Sequence, residues 1–381
     1  MQFKHIILSN WRNFTSVDVS LALRMFLVGP NASGKSNLLD VFRFLRDIAK
    51  PGGGFQKAVI DRGGVSSLRC LAARRYSGIT VEVHVGVSSE AEDYPLWKYR
   101  IEFNQDKQRK PILKKEQVWK NGKQVLNRPD EKDKGDPARL TQTHLEQVNM
   151  NQEFRDLSGF FETIQYLHLV PHIIRDPERF IGRSGDPFGG DFLERLVKTP
   201  EKKRNAWLRK IEDALKVAVP QLDKLYLAHD NRGTPHLKAH YKNWRFSGSY
   251  QNEKLFSDGT LRLIGFLVSL LDGQGPLLLE EPELSLHTGI VQRLALVIYS
   301  LQKGKNRQVL VSTHSYELVS DKGIGAEEVL ILQPTKEGVK VFVGRDNIQI
   351  RKLLQEGASV AEVVLPITEP KDAQQLELFG R

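Results

Sequence analysis

Gly29-Pro30-Asn31-Ala32-Ser33-Gly34-Lys35-Ser36 reads G-x-x-x-x-G-K-S and stands directly behind the apolar strand Met25-Phe26-Leu27-Val28. Two glycines let the backbone curl so that consecutive N–H groups face a polyphosphate. Lys35 then reaches the β- and γ-phosphates, and the Ser36 hydroxyl is placed to ligate Mg2+. The run that follows, Asn37-Leu38-Leu39-Asp40-Val41-Phe42-Arg43-Phe44-Leu45, has apolar residues at helical spacing, so a helix N-terminus adds its dipole to the anion site. The strand before and the helix after set this loop apart from an ordinary glycine turn. The stretch predicts a site for ATP or GTP, with Gly29, Asn31, Ser33, Gly34, Lys35, Ser36 and Asn37 around the phosphates.

Further along, Pro276-Leu277-Leu278-Leu279-Glu280-Glu281-Pro282-Glu283 reads as a buried strand that ends in carboxylates. The first acid, Glu280, can hold the Mg2+ shell, and the second, Glu281, can orient or deprotonate an attacking water. The plainer reading is a strand followed by an acidic helix start. Upstream, Leu255-Phe256-Ser257-Asp258-Gly259-Thr260-Leu261-Arg262 precedes an apolar helix; Ser257 is a good N-cap, and Gly259 permits close approach of a phosphate. Downstream, Val309-Leu310-Val311-Ser312-Thr313-His314-Ser315 is an apolar strand ending in a histidine, whose neutral imidazole could meet a γ-phosphate or a lytic water.

In this order the four motifs resemble those of ABC-type ATPase heads, in particular the RecF/SMC/OLD-like group. The opening Ile6-Ile7-Leu8-Ser9-Asn10-Trp11-Arg12-Asn13-Phe14 is similar to that group's N-terminus. The resemblance covers both ends of the chain, roughly 1–48 and 253–320. It implies ATP and Mg2+ as cofactors, Mg-dependent ATP hydrolysis, and two heads paired head to tail. Ser257 and Gly259 of one chain would then complete the ATP site of the other. It further implies that Lys35 and Ser36 bind phosphate and metal, that Glu281 is the catalytic base, that His314 is the switch histidine, and that Ser285-Leu286-His287 couples the two sites. Many members carry Asp where this chain has Glu280. The group's metal-contacting glutamine, after the peripheral sheet, is assigned to Gln165.

The implied fold is α/β: an ABC-ATPase head with a mixed or parallel phosphate-loop core sheet, a peripheral antiparallel sheet and a helical lobe. Alternation in Thr80–Val85 and Trp97–Phe103, with a turn at Asn121-Gly122, predicts the antiparallel sheet. Short apolar strands between helices after Leu261 predict the parallel one. We expect one head over 1–365, with lobe I at about 1–180 and 270–365, a helical signature lobe at about 181–269, and a flexible tail at 366–381. Residues 127–136, charged and rich in Pro and Gly, read as a loop or mobile insertion, and 151–220 as mostly helical.

Spacing narrows the group. About 220 residues separate Lys35 from Ser257 without heptads, which excludes a long-armed SMC protein. Fewer than 70 residues follow His314, too few for the nuclease domain of OLD proteins. The chain therefore resembles a stand-alone RecF/OLD-like ATPase of DNA repair or antiphage defence, with any nuclease a separate effector.

The 381 residues suffice for a sizeable core, and 40% hydrophobic with 27% charged residues is ordinary for a globular protein. One cysteine, Cys70, excludes a disulfide framework and a cysteine-rich zinc site. The longest apolar stretch, Leu263–Leu271, is too short to cross a bilayer, and no export signal is visible, so a cytoplasmic protein without a membrane partner is expected. A net charge of +10 is concentrated in 107–120 and 202–210, near Trp119 and Trp207. Such runs either track a nucleic-acid backbone or form a solvated face. The ending Gln374-Gln375-Leu376-Glu377-Leu378-Phe379 resembles a bacterial sliding-clamp-binding peptide, in which Gln375, Leu376, Leu378 and Phe379 would make the contacts. Two functional classes stay open: an ATP-hydrolysing homodimeric switch on DNA, and an ATP-gated scaffold that holds a partner protein. A transporter ATPase subunit is disfavoured by the N-terminal pattern.

Overall fold

The computed structural model describes residues 1–73, 78–87, 95–176, 186–243 and 248–368. Along the chain its strands are β1 (Gln2–Trp11), β2 (Phe14–Ser20), β3 (Arg24–Val28), β4 (Ile79–Gly86), β5 (Trp97–Gln105), β6 (Pro111–Lys120), β7 (Lys123–Arg128) and β8 (Gln165–Leu167). They continue with β9 (Leu222–His229), β10 (Pro235–Tyr241), β11 (Ser249–Asn252), β12 (Leu277–Glu280), β13 (Val309–Thr313), β14 (Val329–Thr335) and β15 (Gly338–Val343).

The core sheet has the order β15-β14-β3-β13-β12-β8. All neighbours are parallel except β15, which returns antiparallel on β14 at one edge. Its central strands are apolar without interruption because both faces are buried. Strand parity divides them. Met25, Leu27, Leu278, Leu310, Leu330 and Leu332 face one hydrophobic layer. Phe26, Val28, Leu277, Leu279, Val309, Val311, Val329 and Ile331 face the other. The helix Lys35–Ala49 packs in the first layer through Leu38, Leu39, Val41, Phe42, Phe44, Leu45 and Ile48. The helices Asp258–Leu271 and Thr288–Lys305 pack in the second. Parallel strands thus deliver their C-terminal ends, and the loops that follow them, to one edge of the molecule, where α/β folds bind ligands.

The peripheral sheet, β2-β1-β4-β5-β6-β7, is antiparallel throughout, as the alternation predicted. It covers the helix Lys35–Ala49 from outside through the same first layer. A backbone bond from Val339 N–H to Asn13 O, 3.0 Å, joins the two sheets just behind the phosphate loop.

Three expectations need correction. The span expected as a helical lobe carries a third sheet, β11-β10-β9, antiparallel, beside the helices Phe192–Lys198 and Glu201–Ala218. The burial of its strands only partly alternates, so their periodicity carries little signal. Residues 127–136 are not a loose loop: Asp130 caps a short helix, Glu131–Gly135, and Arg128 is buried in an ion-pair network with Glu116 and Asp133. Of the charges there, Arg128 and Asp133 are buried and paired, while Glu131, Lys132, Lys134 and Asp136 stay exposed. The last helix, Val360–Thr368, runs through Pro366 beyond the expected start of the tail at 366. The rest of that tail, with the clamp-like residues Gln375, Leu376, Leu378 and Phe379, lies outside the described residues. Cys70 is a buried free thiol, and no helix among the described residues is long and apolar enough to cross a membrane.

Candidate nucleotide site

The phosphate loop turns where the sequence placed its glycines. Gly34 has φ +95°, and a Cβ there would stand 2.2 Å from Asn13 Nδ2; a Cβ on Gly29 would stand 2.6 Å from Leu332 O. Only glycine fits either position. Asn13 is the reason for the first restriction: its Nδ2 donates to Ser33 O at 3.1 Å, and its Oδ1 accepts from Asn37 Nδ2 at 3.0 Å. The first helical backbone bond runs from Leu38 N–H to Gly34 O at 2.9 Å. The N–H groups of Lys35, Ser36 and Asn37 therefore have no acceptor in the helix and form the anion-binding end of its dipole. Asn37 contributes through its backbone, since its side-chain amide is committed to Asn13. Asn31 and Ser36 are exposed at the mouth, and Ser33 is buried beneath the loop.

Lys35 Nζ donates to Gly29 O at 2.8 Å and Pro30 O at 3.1 Å, so the ammonium lies folded against the loop. Burial depresses its pKa, opposed by the nearby carboxylates Glu281, Glu283 and Glu280. A buried cation among three acids is poised to exchange those partners for phosphate oxygens.

At the tip of β12, Glu280 accepts from Ser36 Oγ through one carboxylate oxygen and from Tyr166 Oη through the other. A hydroxyl and a carboxylate side by side at the mouth of a phosphate loop form a hard oxygen pair. That donor set fits Mg2+, which takes one or two protein oxygens and completes its shell with phosphates and water. Glu281 follows with φ +43°, a left-handed conformation rare for a residue with a side chain. Its N–H donates to Ser312 O at 3.0 Å, which fixes the strained turn to β13. Glu283 is buried and accepts from Thr313 Oγ1, and burial raises its pKa. His314, the residue after β13, places Nδ1 3.1 Å from Glu281 Oε1.

The signature segment is built as predicted at its cap: Ser257 Oγ accepts from Thr260 N–H at 3.1 Å. A Cβ on Gly259 would lie 2.5 Å from Ser285 O, so this glycine rests directly on the Ser285–His287 turn. Arg175 locks the same cap from outside, donating to Phe256 O at 2.7 Å and pairing with Asp258 Oδ1 at 2.5 Å. Among the described residues neither Ser257 nor Gly259 bonds to the phosphate loop. One chain thus brings together Lys35, Ser36, Glu280, Glu281 and His314, and leaves Ser257 and Gly259 in a separate group with Ser285.

Gln165 does not join them. It pairs with Leu277 at the beginning of β12, roughly 10 Å down the strand from Glu280. Its Oε1 accepts from Arg307 Nη2 at 2.8 Å, so it braces the opposite end of the sheet and is no metal ligand. The next residue, Tyr166, is the one that reaches the site. The direction of a parallel strand was the available signal, because only residues toward its C-terminal end approach the ligand edge. Asn13 and Arg175 carry no local signal either, because both act through contacts distant in sequence. The aromatics near the basic runs are not free platforms: Trp207 is buried, and Trp119 is half-buried with Lys98 Nζ 4.8 Å from its ring centroid.

Comparison with solved structures gives the same architecture. The fold is similar to an SMC head bound to the C-winged helix domain of ScpA, at TM-score 0.53 and 15% identity, covering 90% of this chain and 97% of that one. It is also similar to the Smc head of Pyrococcus furiosus with an extended coiled coil, bound to the C-terminal domain of ScpA (0.51, 12%, 93% and 99%). A third match is the Smc head of Pyrococcus yayanosii with a coiled coil and joint (0.50, 11%, 93% and 99%). Among curated proteins none matches the sequence. The model of one family, described as "AAA domain, putative AbiEii toxin, Type IV TA system", matches residues 24–320. With that match over most of its length, the chain belongs to this AAA-domain family, and it has the fold of an SMC head.

Proposed function

We propose that the chain binds and hydrolyses ATP with Mg2+ as one half of a head-to-tail homodimer, and that ATP-driven closing and opening of the pair is its output. The observation that carries this reading is the division of the motifs: five groups converge on one site, while Ser257 and Gly259 sit on the Ser285 turn without touching it. A second chain supplies the missing half. Ser36 and Glu280 hold the cation, which neutralises charge on the phosphates. Lys35 and the free N–H groups of the helix orient the phosphates, Glu281 takes a proton from water, and His314 steadies Glu281.

DNA is the proposed ligand of the closed pair, in repair or antiphage defence, with a separate effector such as a nuclease. Supporting it, the hairpin between β5 and β6 presents exposed Lys107, Arg109 and Lys110 beside exposed Lys57 and Arg69, and none of these forms an ion pair among the described residues. Gln56 Nε2 to Pro111 O, 2.8 Å, and Ser66 Oγ to Gln105 Oε1, 3.3 Å, bind the hairpin to the helices that carry the other two cations. Uncompensated cations on a rigid rim suit a phosphate backbone. The family description, which names a toxin of a toxin–antitoxin system, favours the defence branch. A second reading, a scaffold for a partner protein, is favoured by half-exposed Leu296 and Tyr299, which line a cleft with Arg345 and Arg351.

Glu281→Gln tests the mechanism. With ATP and Mg2+ the variant is expected to accumulate as a dimer in light scattering; a protein that stays monomeric overturns the head-to-tail reading. Turnover stimulated by DNA favours the switch, and turnover indifferent to DNA but coupled to a co-purifying protein favours the scaffold.

A further inference from the structure

Glu280 is one methylene longer than the aspartate many related heads carry, and that extra torsion has to be fixed if its carboxylate is to meet a cation in one orientation. Ser36 Oγ engages one oxygen, and Tyr166 Oη donates to the other. Tyr166 stands on β8 opposite Leu278, two residues before Glu280, so its ring runs along the strand toward the tip. The ring is itself held: Arg43, two turns along the helix from Ser36, places its guanidinium 4.1 Å from the ring centroid. Arg43 in turn lies 3.7 Å from Asp40 Oδ1. Phosphate-loop helix and edge strand therefore clasp the same carboxylate from two sides.

We infer that Tyr166 is the positioning residue of the cation site: its hydroxyl fixes the Glu280 carboxylate with one oxygen turned to Ser36. This rests on reading Ser36 and Glu280 as the Mg2+ pair. Outer partners of ligating groups tune metal affinity by about 10- to 100-fold. Tyr166→Phe removes the donor and keeps the ring, its packing and the Arg43 contact.

The test follows binding of a fluorescent ATP analogue to the full chain as Mg2+ is titrated, with a parallel measurement in EDTA. In Tyr166→Phe the half-saturating Mg2+ concentration is expected to rise about tenfold, while metal-free nucleotide binding stays as in the unaltered protein. Glu280→Asp, whose shorter carboxylate parts from Tyr166, is expected to raise the Mg2+ requirement with the tyrosine intact, and adding Tyr166→Phe to it changes little. An unchanged Mg2+ requirement in Tyr166→Phe, or an equal rise in both backgrounds, overturns the role of Tyr166. If the unaltered protein binds the analogue with no response to Mg2+, the Ser36–Glu280 reading fails instead.

Discussion

His314 Nδ1 lies 3.1 Å from Glu281 Oε1, so the residue that follows β13 holds the residue that follows β12. An ionised carboxylate only accepts, so Nδ1 carries the hydrogen of this pair. Glu281 is already confined by its left-handed backbone and by its bond to Ser312 O. The histidine removes the remaining freedom, that of the side chain, at the point where a proton must be taken from water.

From this pair we expect His314→Ala to lower ATP turnover by about a hundredfold, within the usual range for a group serving acid–base chemistry. Nucleotide affinity should change little, because phosphate is held by Lys35 and the helix N-terminus. Turnover at saturating ATP, set beside equilibrium binding of a fluorescent analogue, separates the two effects. A variant that hydrolyses at the original rate removes His314 from the mechanism.

The parts of the site that were legible in the sequence are those built from contiguous residues. The loop Gly29–Ser36, the acids after Leu279 and the cap at Ser257 each carry their own backbone logic in a few neighbouring positions. Gln165 and Tyr166 could not be ranked that way, because which of them faces the ligand depends on the register of β8 against β12. Asn13 and Arg175 were invisible for a related reason: each acts on a segment 20 or more residues away, Ser33 for one and Phe256 for the other. Charge misled at 127–136. A run of acids and bases looks solvated until Glu116, from β6, is seen to supply the partner that draws Arg128 inside.

That network sets the next expectation. Arg128 donates to Glu116 Oε2 at 2.9 Å and to both oxygens of Asp133 at 2.9 Å, with the carbonyls of Gln142 and Arg139 completing its shell. The side chains of Glu116 and Asp133 are 0% exposed. Arg128→Ala leaves the buried Glu116 carboxylate without a cation and Asp133 with Arg139 alone, and breaking a buried pair costs about 3–5 kcal/mol. Urea unfolding of the two proteins checks this. A loss below about 1 kcal/mol is the figure for solvated surface pairs and means that water compensates the acids.

His144 gives the same region a pH dependence of definite sign. The residue is 4% exposed, and burial, reinforced by the Arg128 cation, pushes its pKa down to about 4. The unfolded chain protonates near pH 6.5. Above that value both states are neutral and the contribution to stability is complete. As the pH falls from about 6.5 to about 4 the unfolded chain takes up a proton that the folded one refuses, so stability drops by up to about 1.4 kcal/mol per unit. Asp133, held well below the usual carboxylate range by Arg128, loses its own contribution only in more acidic solution. The measurement is the unfolding free energy of the unaltered protein and of His144→Asn between pH 7 and about pH 5. The two curves are expected to converge as the pH falls, because Asn has no proton to refuse. Parallel curves would mean that the His144 imidazole titrates alike in both states, and the burial argument for this histidine would then be wrong.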